Sequence, residues 1–193
     1  MKYLDKDEIK NYPLIDFDGR IHLVDDLKKI PTFREKIISA KVVGFDTETK
    51  PAFKRGVFNS ISLVQISIDN DIFLFRINKI GLFNELIKLF ENSKIIKVGI
   101  DLKNDINGLN KLKSFEANSF VDLNKIAKKN DFKSFGAIKL SILMLGKRIS
   151  KKQRLSDWEV DTLSESQKNY AAIDAWICPK ILNEFKKRDY LLS

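Results

Sequence analysis

Between Ser60 and Ile77 the chain reads SISLVQISIDNDIFLFRI, and no other segment limits its fold so tightly. Ser60–Ile68 alternates with the period of two that a pleated strand requires, and Asp71–Ile77 is strand-like again. Asp69-Asn70 between them suits a tight turn, because both residues tolerate left-handed backbone. The two runs therefore predict a hairpin. An apolar hairpin must bury a face, so further layers have to pack on it.

The rest of the chain supplies them. Ile21–Val24 reads as a short strand, and residues 25–40 as a helical segment interrupted early by Pro31. Lys41–Asp46 (KVVGFD) is a short apolar run of the kind that forms a buried strand. Gly81–Asn92 has helical periodicity, Ile95–Ile100 is an apolar strand, and Asp105–Leu112 suits a helix. Phe120-Val121 reads as a further strand, with Asp122 capping the helix that follows. Ser134–Leu145 is helical, and residues 146–157 form a polar, strongly basic connection. Ser164 and Gln167 make a capping box for the last helix, which runs towards Lys187 and which Pro179 should kink or split. The expected class is α/β, with one mixed sheet of antiparallel early strands followed by alternating strands and helices. Residues 1–20 read as an irregular leader and residues 21–193 as a single domain.

Composition narrows the setting. At 193 residues and 44% hydrophobic, the chain can bury a sizeable core, and no apolar run approaches the roughly 20 residues of a membrane helix. MKYLDKDEIK lacks the apolar stretch of a signal peptide. The single cysteine, Cys178, excludes an intramolecular disulfide and a Cys-rich zinc site, so a reducing cytoplasm is the expected compartment. A net charge of +9, from 35 basic and 26 acidic residues, suits a polyanionic partner such as nucleic acid, although lysine also serves solubility.

The chemistry-bearing residues cluster in three places. Asp46 and Glu48 lie two apart after the KVVGF run, so in extended chain both carboxylates leave one face. Like charges so placed repel unless a cation sits between them, and hard divalent ions favour such oxygen ligands. A solvated acidic turn is the competing role. Asp105 stands at a strand-to-helix step, where a helix N-cap is the alternative, and Asp101 nearby invites the same reading. Tyr170 and Asp174, four apart in YAAIDA, share a helix face, with small Ala171, Ala172 and Ala175 leaving room for close packing. The basic stretch Lys147, Arg148, Lys151, Lys152 and Arg154, and Thr47 between the two acids, are candidate substrate contacts. Phe53 and Trp158 offer stacking surfaces, Trp158 with a structural role in prospect.

Taken in order, an acid pair after a strand, an acid at a strand-to-helix step, and Tyr and Asp one turn apart resemble the DEDD superfamily of 3′-5′ exonucleases. More narrowly, the pattern resembles the tyrosine subclass, which includes ribonuclease D and the exonuclease domain of the Werner syndrome protein. SLVQIS (Ser62–Ser67), VDL (Val121–Leu123) and LSDWE support it over roughly Ile21 to Phe185. The resemblance implies a ribonuclease H-like fold and two divalent ions, Mg²⁺ or Mn²⁺. Asp46, Glu48 and Asp174 would hold one ion with the scissile phosphate. Asp46 would bridge to the second, Asp105 would act mainly through that ion's water shell, and Tyr170 would orient the attacking water. DNA ranks ahead of RNA by likeness to the Werner-type domain. Ribonuclease D-like trimming of RNA and a catalytically silent binding module are the alternatives. The sister subclass uses histidine in place of the tyrosine, and the only histidine, His22, lies far upstream and reads as structural. Thr162 stands where the family often has proline, which touches no ligand.

Overall fold

The computed structural model describes residues 2–54 and 56–190. Its strands are β1 (Arg20–Val24), β2 (Val42–Thr49), β3 (Ile61–Ile68), β4 (Asp71–Phe75), β5 (Ile96–Gly99) and β6 (Phe120–Asp122). They form one six-stranded mixed sheet in the order β1-β4-β3-β2-β5-β6. β3 and β4 make the expected hairpin, with Asp69 at φ 52° in its turn. β2 lies antiparallel to β3, while β5 and β6 extend the sheet in parallel beyond it. β1 closes the opposite edge parallel to β4.

The helices are α1 (Ile30–Ile37), α2 (Ile77–Ile80), α3 (Asn84–Glu91), α4 (Lys103–Leu112), α5 (Leu123–Lys129), α6 (Ala137–Leu145) and α7 (Glu165–Lys187). Pro31 does not interrupt α1. It lies in the first turn, where its missing N–H would have had no helical partner. α3 and α6 begin later than their periodicity suggests, because Gly81 at φ 69° and Gly136 at φ 88° hold the preceding backbone out of the helix. Asp122 caps α5 as expected, accepting from the Asn124 N–H at 2.9 Å.

Strand alternation divides the core in two. Val43, Phe45, Val64, Ile66, Phe73 and Phe75 face α1, α3 and α4. Leu63, Ile72 and Leu74 face α5, α6 and α7. Phe45 meets Phe90 and Phe120 edge-on, with ring centroids 5.7 and 5.4 Å away. Burial of each such ring contributes about 1.5–3 kcal/mol. Residues 2–19 pack on this frame. Leu4 is buried and exchanges hydrogen bonds with the Ser134 hydroxyl, and Leu14 bridges to Arg148.

The contact between α7 and β2 is closer than ordinary helix-on-sheet packing. A Cβ added to Gly44 would lie 2.0 Å from the Ala175 carbonyl oxygen and 2.3 Å from Ser67 Oγ. Pro179 does not split α7, which remains one helix of 23 residues. The proline lacks the N–H that would normally bond to Ala175 O. That carbonyl accepts instead from Ser67 Oγ at 3.1 Å, so the fault in the helix becomes its tether to the sheet. Gly44→Ala is expected to lower stability by about 1–3 kcal/mol, the range for overpacking a filled interior. Denaturant unfolding checks it, and parental stability would show that α7 does not depend on this approach.

Candidate active site

Three carboxylates converge where α7 crosses the end of β2. Asp46 and Glu48 leave the α7 face of the strand, and the β2–β3 register shifts between Glu48 and Thr49. Asp174 comes from α7, whose start is fixed by the Ser164–Gln167 capping box. Gln167 Nε2 also donates to Asp157 O at 2.9 Å, tying the preceding loop to the helix. One oxygen from each of Asp46, Glu48 and Asp174 lies within 4.8 Å of the others. Glu48 and Asp174 are buried and Asp46 is half-buried. Tyr170, one turn before Asp174, is buried beside Trp158, with centroids 5.9 Å apart.

Asp105 reaches the same end of the sheet from its other side. It lies in the first turn of α4 and is not the cap, a place Leu102 takes without a side-chain bond. Thr47, alternating away from Asp46 and Glu48, donates its hydroxyl to Asp105 Oδ1 at 2.5 Å. Asp105 therefore stands beside the three-carboxylate cluster and outside it. Asp101 is exposed and accepts from Asn124 Nδ2 at 2.7 Å, a loop contact.

The electrostatics of the cluster are strained. Burial, then the neighbouring Asp174 and Asp105, push Asp46 well above the ordinary carboxylate range. Burial, with Asp46 and Asp174 beside it, raises Glu48 to about 9. Burial raises Asp105 to about 6 against the opposing Thr47 hydrogen bond. Asp174 is raised by burial although Lys151 opposes the shift, and burial beside Asp174 pushes the Tyr170 phenol upward. Gln65, the cross-strand partner of Asp46, is fully buried on this face, and its amide N and O have no hydrogen-bond partner among the described residues.

Lys151 supplies the positive charge that the cluster lacks. Its Nζ lies 3.0 and 3.2 Å from the Asp174 carboxylate oxygens and 3.3 Å from Tyr170 Oη. A set of carboxylate oxygens converging from β2 and α7 is what a hard divalent cation requires, and these residues fit one. A cavity of about 200 Å³ opens here, lined by Asp46, Asp101, Lys151, Arg154, Asp174 and Cys178. Beside Asp105 lies a wider cleft of about 870 Å³, with Thr49, Phe58, Asn59, Asn104 and Asn107 in its wall.

The remaining sequence candidates separate. Lys152 and Arg154 are exposed, the latter at the cavity. Arg148 instead donates to Tyr12 O at 2.8 Å, which pins the leader to the basic connection. Trp158 is fully buried and Phe53 is exposed. His22 Nε2 lies 2.7 Å from Asp71 Oδ1 and its ring stacks on Phe73, a structural place. Sequence reasoning passed over Gly44, Gln65 and Ser67. A glycine inside an apolar strand signals close backbone approach. Gln65 and Ser67, two apart in a strand buried along its whole length, place two polar groups on one face.

Comparison with known proteins agrees with this geometry. A family described as 3′-5′ exonuclease matches residues 21–188. The chain is 30% identical over 176 residues to the bifunctional 3′-5′ exonuclease/ATP-dependent helicase WRN of Mus musculus, covering 86% of this chain and 13% of that protein. It is 30% identical over 195 residues to a 3′-5′ exonuclease of Arabidopsis thaliana, covering 91% of this chain and 67% of that one. The Nibbler EXO domain of Aedes aegypti shares the ribonuclease H-like fold, with a TM-score of 0.78 at 24% identity over 91% of both chains. Since the family match runs from β1 through the end of α7 and takes in all three converging carboxylates, this chain belongs to the 3′-5′ exonuclease family.

Proposed function

We propose that this chain is a divalent-metal-dependent exonuclease of the tyrosine subclass, which releases 5′-mononucleotides from the 3′ end of nucleic acid, with DNA preferred to RNA. One observation carries the reading: three carboxylates from β2 and α7 meet within 4.8 Å beside a buried tyrosine. Asp46, Glu48 and Asp174 would hold one ion, and Asp46 together with Asp105, whose carboxylate Thr47 fixes, would serve a second. Mg²⁺ or Mn²⁺ bound there would supply a lowered pKa to the attacking water and charge to the leaving 3′ oxygen. The Tyr170 phenol, pushed upward, keeps its proton at neutral pH and so positions the water rather than deprotonating it. Lys151, Lys152, Arg154 and the Thr47 segment face the phosphates upstream of the scissile bond. Residues 21–193 form the catalytic unit, with the leader folded against its basic connection. The single cysteine, Cys178, is consistent with a reducing cytoplasm as the compartment.

The test is a set of matched 3′-labelled DNA and RNA oligonucleotides, single-stranded and recessed, with Mg²⁺, Mn²⁺ or chelator. Chelator-sensitive release of mononucleotides, faster from DNA, is expected. Faster release from RNA would move the assignment to the ribonuclease D type, in which the 2′-OH is read. No release from any substrate would favour a silent binding module.

Asp46→Asn should abolish hydrolysis and leave the fold intact. Without metal it should also stabilise the protein by roughly 1 kcal/mol or more, since each unit of upward carboxylate shift corresponds to about 1.4 kcal/mol. The sign follows from proton binding: the folded carboxylates keep protons that the unfolded chain has released. Metal-free stability is then greatest at low pH and falls as pH rises from the unfolded glutamate value of 4.5 towards about 9. Thermal unfolding in chelator across that range checks both effects. A rise in parental stability with pH would contradict the charge strain.

Tyr170→Phe keeps the ring against Trp158 and removes only the hydroxyl. Turnover should fall by about 10- to 10³-fold with KM little changed, the pattern of a group acting in the transition state. Steady-state kinetics decide it: a large rise in KM with parental kcat would place Tyr170 in substrate binding.

A further inference from the structure

A cation already stands against one member of the carboxylate cluster. Both Asp174 oxygens lie within hydrogen-bond distance of Lys151 Nζ, at 3.0 and 3.2 Å. The ammonium also sits 5.2 Å from the Tyr170 ring centroid and 3.3 Å from its hydroxyl. The Asp174 side chain is only 5% exposed and that of Lys151 29%, so the pair forms within the site and not across its rim. The backbone delivers the lysine there. Three residues earlier Arg148 is clamped on both sides, accepting from Ile15 N at 2.8 Å and donating to Pro13 O at 2.9 Å. Its side chain adds a bond to Tyr12 O at 2.8 Å.

An ammonium held on both Asp174 oxygens competes with a divalent ion for them. A Mg²⁺ or Mn²⁺ ion takes carboxylate oxygens at about 2.0–2.2 Å and would sit within a few ångströms of Nζ, where like charges repel strongly in a half-desolvated cavity. We propose that Lys151 is a built-in competitor for the metal position on Asp174. Its ammonium closes the cluster when no divalent ion is bound, and ion entry displaces it towards the phosphate of the incoming strand. This rests on the metal-binding reading of Asp46, Glu48 and Asp174. It follows that the site's affinity for metal is set below what its carboxylates alone would give. Because a bound phosphate accepts the displaced ammonium, metal and substrate also favour each other's binding, a reciprocal coupling.

Calorimetric titration with Mn²⁺, paired with thermal unfolding in chelator, tests this without reference to activity. Lys151→Gln should bind Mn²⁺ roughly 3- to 10-fold more tightly, the release of an ion pair near the strong end of the partly exposed range. The same variant should melt lower than the parent in chelator, because Asp174 loses its counter-ion. Lys151→Met, which keeps the aliphatic stem over the Tyr170 ring, should behave alike and covers the case in which the glutamine variant does not fold. Lys151→Arg should keep parental affinity. Lys152→Gln removes the same charge one residue along and should also bind Mn²⁺ as the parent does. Parental or weaker affinity in the Lys151 variants would overturn the proposal, as would an equal gain in Lys152→Gln, which would reduce the effect to net charge. Asp174→Asn separates the two levels. If it loses Mn²⁺ while Lys151→Gln is unchanged, the competitor role alone fails; if it binds Mn²⁺ like the parent, the metal reading fails and the proposal with it.

Discussion

A single hydrogen bond between a serine hydroxyl and a helix carbonyl fixes the distance on which the site depends. Ser67 Oγ donates to Ala175 O, next to Asp174 in sequence, and Gly44 opposite carries no side chain to keep the two apart. Gly44 lies two residues before Asp46 on the same face of β2, and Ser67 is its cross-strand partner. The approach that brings Ala175 onto the sheet therefore brings Asp174 to Asp46. Pro179 makes the carbonyl available by withholding the N–H that would have occupied it. Ala171, Ala172 and Ala175 let the rest of the helix follow, since larger side chains would lift it from the strand.

That closeness creates an electrostatic problem. Four acidic groups gather at one end of the sheet, and burial favours their uncharged forms. The protein answers in two ways. Thr47 gives Asp105 a hydroxyl from the opposite face of β2, which keeps this carboxylate beside the other three without joining them. Lys151 gives Asp174 an ammonium. Neither neutralises Asp46, whose cross-strand partner Gln65 is itself buried without a hydrogen bond among the described residues. An unpartnered buried amide beside a carboxylate crowded by other acids is costly, a strain that a bound cation would relieve.

Much of this was legible in the sequence because it rests on local rules. The hairpin around Asp69-Asn70, the cap at Asp122 and the Ser164–Gln167 box each depend on a few neighbouring residues, and each forms as read. Asp46 with Glu48, and Tyr170 with Asp174, were readable for the same reason, since strand and helix periods place each pair on one face. The features that escaped depend on tertiary contacts. Pro179 predicts a break, and only the distant Ser67 hydroxyl explains why the helix continues. The strand-to-helix position of Asp105 resembles a cap until Thr47 is seen beside it. Lys151 and Lys152 are alike in sequence. One enters the site and the other stays in solvent because Arg148 is clamped to residues 12–15 of the leader, more than a hundred positions away.

The central claim is that β2 and α7 are brought together to hold a divalent cation at Asp46, Glu48 and Asp174. A crystal structure of the protein grown with Mn²⁺, with the ion located by its anomalous scattering, tests this most directly. A strong anomalous peak within bonding distance of all three carboxylates, with Lys151 Nζ moved off Asp174, is the expected result. Fully ordered crystals with no anomalous density at these carboxylates, and Lys151 still paired to Asp174 at saturating Mn²⁺, would contradict it.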